Sequence, residues 1–118
     1  MYEAQDMSVM VRMANHAVAT AGRPVDWLHM AGPRYLRSED ERFFAPLRDL
    51  DVGATRVFLG IVLPIDGIPG ARLRQATAAR YLDDFGVAMY CGFGRQRGFV
   101  GEDTMREHAE TARALTSA

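Results

Sequence analysis

The stretch of sequence that decides the fold is VFLGIVL, which runs from Val57 to Leu63. It contains no polar side chain, whereas a strand with one face in water alternates apolar and polar residues. A continuous apolar run of this length is typical of a strand that is buried on both faces of a parallel sheet. We therefore predict a central parallel strand over Arg56–Leu63.

Further strand and helix patterns surround this central strand. The predicted strands are Val25–Met30, Arg56–Leu63 and Val87–Cys91, and the predicted helices cover residues 6–21, 39–47, 69–85 and 104–115. The helix over 69–85 is expected to place Leu73, Ala76, Arg80 and Tyr81 near one face. Alternating strands and helices predict parallel crossover connections. A closed barrel of eight strands needs about 250 residues, and this chain has 118. We expect residues 1–118 to form a single α/β domain, a partial (β/α)8 TIM barrel of about three parallel strands.

Composition excludes several classes of function. All 14 basic residues are arginine, so lysine Schiff-base chemistry is excluded within this chain. A net charge of -1 gives no electrostatic footprint for nucleic acid. The longest apolar run is too short to cross a bilayer, so no membrane association is expected. The single cysteine, Cys91, excludes an internal disulfide and suits a reducing compartment, and we expect a cytoplasmic protein.

The glycine-rich turn that follows the third predicted strand is the most distinctive candidate site. Ligands of parallel α/β folds lie beyond the carboxyl ends of the strands. Gly92 and Gly94 allow the backbone to approach a ligand closely, and Arg95 and Arg97 can bind a carboxylate or phosphate. The alternative is a flexible surface loop with solvated arginines. The turn therefore predicts an anion site without excluding a loop of no function.

The two other loops at this end each carry one charged candidate. Asp66 lies in the loop after the second strand, and Arg34 lies in the loop after the first. Both are candidate substrate-binding residues. Asp66 is equally an ordinary turn residue beside Gly67, and Arg34 can simply pair with an acid at the rim.

Cys91 and His29 are the candidate metal ligands. Cys91 ends the third predicted strand, where a cysteine is either a small apolar filler or a nucleophile or zinc ligand. His29 alternates with Leu28 and Met30, so its ring can point into a barrel lumen. Zinc takes three or four protein ligands, so one cysteine and one histidine make an incomplete site. His16 and His108 fall on predicted helices and are expected to face solvent or to lie at helix ends.

Four short motifs resemble the cobalamin-independent methionine synthase catalytic barrel, within the uroporphyrinogen decarboxylase/methionine synthase superfamily. They are AMYCGFG at Ala88–Gly94, LGIV at Leu59–Val62, DWLHM at Asp26–Met30 followed by Pro33 and Arg34, and FAPL at Phe44–Leu47. The first two resemble the last strands of the catalytic barrel, and the other two resemble an uncharacterised bacterial branch. The similarity runs from about residue 6 to 115 and covers the last three strand–helix units of such a barrel.

The resemblance implies methyl or alkyl transfer to a thiol, such as homocysteine, held on zinc. Cys91 is then similar to the cysteine ligand of the family's final strand. The family's His-x-Cys ligand pair is lacking, and no carboxylate stands near Met30 and Ala31, where its glutamate ligand is expected. We therefore expect a fragment or subunit that is inactive alone, and whether it is an enzyme stays open. Its expected partners are a complementary barrel half or a second copy, with a small thiol or anionic substrate. The alternative is a non-catalytic binding or self-assembling module derived from that barrel.

Overall fold

The structure is a computed structural model that describes residues 4–33, 41–63, 66–90 and 101–117. Its helices are α1 (Ser8–Thr20), α2 (Glu41–Phe44), α3 (Gly67–Ala78) and α4 (Gly101–Thr116), and a 3₁₀ turn spans Ala45–Asp49. Its strands are β1 (Trp27–Ala31), β2 (Arg56–Val62) and β3 (Gly86–Met89). No helix in the described part of the chain is long and apolar enough to span a membrane.

The three described strands form one parallel sheet in the order β1-β2-β3. β1 and β2 run in unbroken register from Trp27 opposite Arg56 to Ala31 opposite Gly60. The register between β2 and β3 shifts near the carboxyl end. The predicted α/β class and the predicted parallel strands are therefore confirmed, with strand boundaries that differ by one or two residues.

One face of the sheet carries the hydrophobic core. Because paired residues of parallel strands share a face, Met30 lies beside Leu59, and both are buried with Val57 and Ile61. The helices contribute the rest of this cluster, which includes Met7, Val11, Ala14, Phe43, Phe44, Leu47, Ala71, Ala78 and Leu115. The apolar faces of all the helices therefore pack on the same side of the sheet.

The opposite face, here called the bare face, is formed by Trp27, His29, Arg56, Phe58 and Gly60. Trp27 is 62% exposed, His29 and Arg56 are exposed, and Phe58 is half-buried. None of these residues belongs to the core cluster. A sheet with its helices on one side and an open aromatic face on the other is compatible with a section of a barrel, whose inner face is lined by the strands.

The prediction for the third helix was wrong about its length. The helix ends at Ala78 and not near Phe85, so Arg80 and Tyr81, which were predicted to share a face with Leu73, lie beyond its end. The last turn tightens through i→i−3 hydrogen bonds, such as Tyr81 N–H to the Ala78 carbonyl at 3.0 Å. The chain must reverse direction after the helix so that Gly86 can start β3 in register with Phe58, and this turn needs the intervening residues.

Candidate functional site

The carboxyl ends of the three described strands lie at the same end of the sheet. This is the end at which ligands bind in parallel α/β folds. β1 ends at Ala31, β2 at Val62 and β3 at Met89. His29 stands on the bare face two residues before the end of β1. Its ring is therefore on the side of the sheet that lines the lumen in a barrel, which is the orientation that the metal-ligand interpretation of His29 requires.

The absence of a side chain at Gly60 lets His29 reach across β2. A Cβ atom at Gly60 would lie 3.0 Å from His29 Nε2, 3.1 Å from the Met89 carbonyl oxygen and 3.5 Å from Gly32 N. These three polar atoms come from β1, β3 and the residue after β1, and they surround the same point above the middle strand. A larger residue at Gly60 would occupy the space into which they converge. His29 therefore points towards the carboxyl end of β3, the strand that leads to Cys91.

The side-chain group that this arrangement offers to a ligand is the imidazole of His29, whose Nε2 can donate or accept a hydrogen bond. Within the described residues, no group of three or more His, Cys, Asp or Glu side chains is placed to hold a metal ion. Since zinc takes three or four protein ligands, His29 and its described neighbours do not fit a zinc site by themselves.

Asp66 forms a buried ion pair at the start of α3. Its two carboxylate oxygens accept hydrogen bonds from the Arg74 guanidinium, with distances of 2.7 and 2.9 Å, and Arg74 Nε donates to the Ile61 carbonyl at 2.7 Å. The Arg74 side chain is fully buried, while that of Asp66 is 30% exposed. The pair ties the carboxyl end of β2 to the first two turns of the next helix. Asp66 is a candidate substrate-binding residue, and in the structure its carboxylate holds this junction together through Arg74.

Gly70 makes room for the ion pair. A Cβ at Gly70 would collide with the Asp66 carboxylate. Gly70 is buried, and it lies one turn into the helix that carries Arg74. Because the carboxylate lies directly against the backbone here, only glycine allows Asp66 to reach Arg74.

Arg74, Gly60 and Gly70 are the residues that the sequence analysis missed. Two signals were available: an acidic residue at the start of a helix with an arginine two turns later, and a glycine inside an apolar strand, which marks a close approach of other groups. Neither signal is specific. Each signal identifies a contact only once the fold shows which segments of the chain are neighbours.

His108 is buried in the middle of α4, contrary to the prediction that it faces solvent or lies at a helix end, whereas His16 is exposed as predicted. The His108 Nδ1 atom lies 2.7 Å from the Thr104 carbonyl oxygen, and its ring packs against Tyr90 with 5.9 Å between centroids. The carbonyl can only accept, so Nδ1 carries the proton. The ring thus packs α4 against the residue that follows β3.

The other predicted site residues cannot be placed. Cys91, Gly92, Gly94, Arg95, Arg97 and Arg34 lie outside the described residues. The role of Cys91 as a metal ligand stays a prediction, and so do the substrate-binding roles of the other five residues.

A cleft of about 570 Å³ lies at the opposite, amino-terminal end of the sheet. Its charged lining residues are Asp51, Asp83, Asp84 and Arg56, and apolar residues such as Leu50 and Phe85 line the rest. This volume is in the range of small-ligand pockets, about 300–1,000 Å³. In parallel α/β folds this end is not where catalytic sites form, so the cleft is distinct from the His29 site.

No family model, curated protein or solved structure matches the chain. The similarity to the methionine synthase barrel therefore stays a prediction from the quoted motifs. The function has to be argued from the arrangement of the sheet and the His29 site.

Proposed function

We propose that the chain is a section of a (β/α)8 barrel of the methionine synthase type, which transfers a methyl or alkyl group to a small thiol. It acts in the cytoplasm, where Cys91 stays reduced, and it is active only when further strands complete the barrel. Those strands come from another chain or from additional sequence.

The position of His29 carries this proposal. All described helices pack on one face of the sheet, which corresponds to the outer face of a barrel, and the bare face then lines the lumen. On that face His29 extends across Gly60 to the carboxyl end of β3. This is the end at which barrel enzymes hold their reacting groups.

The candidate residues of this chain would have two roles. His29 and Cys91 would be the two metal ligands that this chain contributes, and if the two lie side by side, the imidazole can accept the proton of the thiol and favour the thiolate. Gly92, Gly94, Arg95, Arg97 and Arg34 would bind the anionic part of the substrate, and Asp66 keeps the neighbouring loop in place through Arg74. The described residues do not form a zinc site, so the remaining ligands for the metal have to come from the completing strands.

The pairing of His29 with Cys91 can be tested on the chain itself, since Cys91 is its only cysteine. We expect His29→Ala to slow alkylation of the thiol by iodoacetamide at pH 7 by roughly fivefold, because the imidazole no longer favours the thiolate. His16→Ala is the matched control, because His16 is exposed on α1, whose apolar residues pack on the opposite side of the sheet from His29. Equal alkylation rates for the parent and His29→Ala chains would remove the support for the proposed site.

Metal analysis tests the need for completing strands. We expect well under one zinc ion per purified chain, since three further ligands of the family set are lacking. Near-stoichiometric zinc that is lost in Cys91→Ser would show that the chain forms a site unaided. That result would contradict the proposal that it works only as a section of a larger barrel.

A self-assembling module is the second candidate function, and the exposed bare face favours it. Trp27 at 62% exposure is an unusually large apolar side chain to leave in water. Within the described residues, β1 and β3 each have a strand on one side only, so their outer edges can pair with another chain.

A further inference from the structure

Three side chains form a cationic, aromatic ridge at the amino-terminal end of the bare face. Trp27 and Phe58 make an edge-to-face contact with 6.5 Å between ring centroids, and the Arg56 guanidinium carbon lies 5.5 Å from the centroid of the Phe58 ring. Arg56 is exposed and makes no ion pair within the described residues. Tryptophan and arginine are the residues that most often anchor protein interfaces.

The acid-lined cleft lies directly beside this ridge. Asp51, Asp83 and Asp84 line it, all three are exposed, and none is in an ion pair among the described residues. Leucine, valine and phenylalanine side chains supply an apolar surface between them. The cleft is therefore concave and partly apolar, with three aspartates against one arginine, while the ridge beside it is aromatic and carries the positive charge of Arg56.

The ridge and the cleft share one boundary. Arg56 belongs to both, and Phe58 is in register with Gly86, the last residue that lines the cleft. Asp84 lies two residues before Gly86, and Arg56 lies two residues before Phe58. Because Gly86 and Phe58 are paired, both charged residues lie at the same end of the sheet. A surface with a protrusion next to a hollow of opposite charge is complementary to itself when it is rotated about a two-fold axis.

We propose that a second copy of this chain docks here, with the ridge of each copy in the cleft of the other. Arg56 of one copy then faces Asp83 and Asp84 of its partner, and Trp27 covers the apolar floor of the cleft. A polyanion such as nucleic acid would meet the three aspartates beside Arg56, so charge favours the second copy. This docking uses no residue of the His29 site. It deepens the second candidate function, self-assembly, and applies to the chain without completing strands, because the bare face would lie inside a completed barrel.

The expected interface is modest in size. The whole bare face, with three strands spaced about 4.8 Å apart and some five residues long, covers only about 250 Å², and the ridge is part of it, while a stable interface buries about 800 Å² on each partner. The ridge alone is therefore too small, and the cleft has to contribute. We expect a dimer that dissociates in the micromolar range and weakens with salt, because its charged groups are exposed.

Charge reversal in two separate chains tests this geometry. Arg56→Glu alone, and Asp83→Arg with Asp84→Arg in another chain, should each weaken dimerisation at least about tenfold in sedimentation velocity, since like charges then face each other twice. An equimolar mixture of the two variants should dimerise again, because both contacts in the mixed dimer join opposite charges. Arg72→Glu, an equal change of charge on α3, is the control and should dimerise like the parent.

The outcomes separate the possible arrangements. Recovery in the mixture supports docking between copies, whereas a monomeric parent chain at the highest concentration overturns the proposal. Loss of dimer in both variants without recovery in the mixture also overturns it, since the charges would then act within one chain. Binding of a single-stranded oligonucleotide that Arg56→Glu abolishes, with no dimer in the parent, would assign the ridge to nucleic acid instead.

Discussion

The Asp66–Arg74 ion pair gives the sharpest prediction for the stability of the fold. We consider Asp66→Asn, which keeps the shape of the side chain and removes its charge. Arg74 is fully buried, and two of its three hydrogen bonds end on Asp66. Removing one partner of a fully buried pair costs about 3–5 kcal/mol. Asp66 is 30% exposed, so water partly replaces it, and we expect about 2–4 kcal/mol.

A loss of this size is measurable in a domain of 118 residues. It should lower the thermal midpoint by roughly 10 °C and shift the urea midpoint in far-ultraviolet circular dichroism without changing the slope. Arg74→Met combined with Asp66→Asn should cost less than the sum of the single changes, because no unpaired charge is left in the interior. A cost below about 0.5 kcal/mol for Asp66→Asn, or full additivity of the two changes, would refute the assignment of this pair as a buried anchor.

Three further predictions concern single side chains. Gly60→Ala should displace His29 and slow alkylation of the thiol about as much as removing the imidazole does, with circular dichroism showing that the fold persists. Asn15→Ala should cost about 1–2 kcal/mol in urea unfolding, because this exposed amide bonds both to a backbone carbonyl at 3.0 Å and to a backbone N–H at 2.7 Å in the segment before β2. Hydrogen bonds from the hydroxyl and then the backbone N–H of Ser8 lower the pKa of Asp6, so Ser8→Ala should raise that pKa in an NMR titration. The stability from this contact is present above the ordinary carboxyl pKa and is lost as the pH falls through the lowered one, so the parent chain should lose more stability in acid than Ser8→Ala does.

The central strand could be predicted from the sequence because its burial corresponds to a run of consecutive apolar residues. The run from Val57 to Leu63 has no polar position, and a chain segment of this kind has few places in a folded protein other than the centre of a sheet. Its observed bounds, Arg56–Val62, differ from the prediction by one residue. The α/β class followed from the same patterns.

The third helix shows what local sequence could not reveal. Its residues give little contrast between an apolar and a polar face, and the predicted face did not include Arg74. The structure buries Arg74 and leaves Leu73 exposed, because the Asp66 carboxylate and the Ile61 carbonyl together satisfy the guanidinium inside the fold. Both partners reach Arg74 only through the packing of α3 on β2, so no spacing rule predicts the burial of this arginine.

The two ends of the bare face carry different functional groups, so the proposed assembly and the proposed activity use different residues. His29 and Gly60 lie toward the carboxyl end, where polar atoms of His29, Met89 and Gly32 surround a common point above β2. Trp27, Arg56 and the aspartates lie at the amino end, about two to four residues away along strands that rise about 3.3 Å per residue. A second copy docked at the amino end would therefore cover the exposed aromatic side chains and leave the His29 site open to solvent and substrate. If the mixed charge-reversed dimer forms and its thiol is alkylated at the same rate as that of the dilute parent chain, the two surfaces act independently.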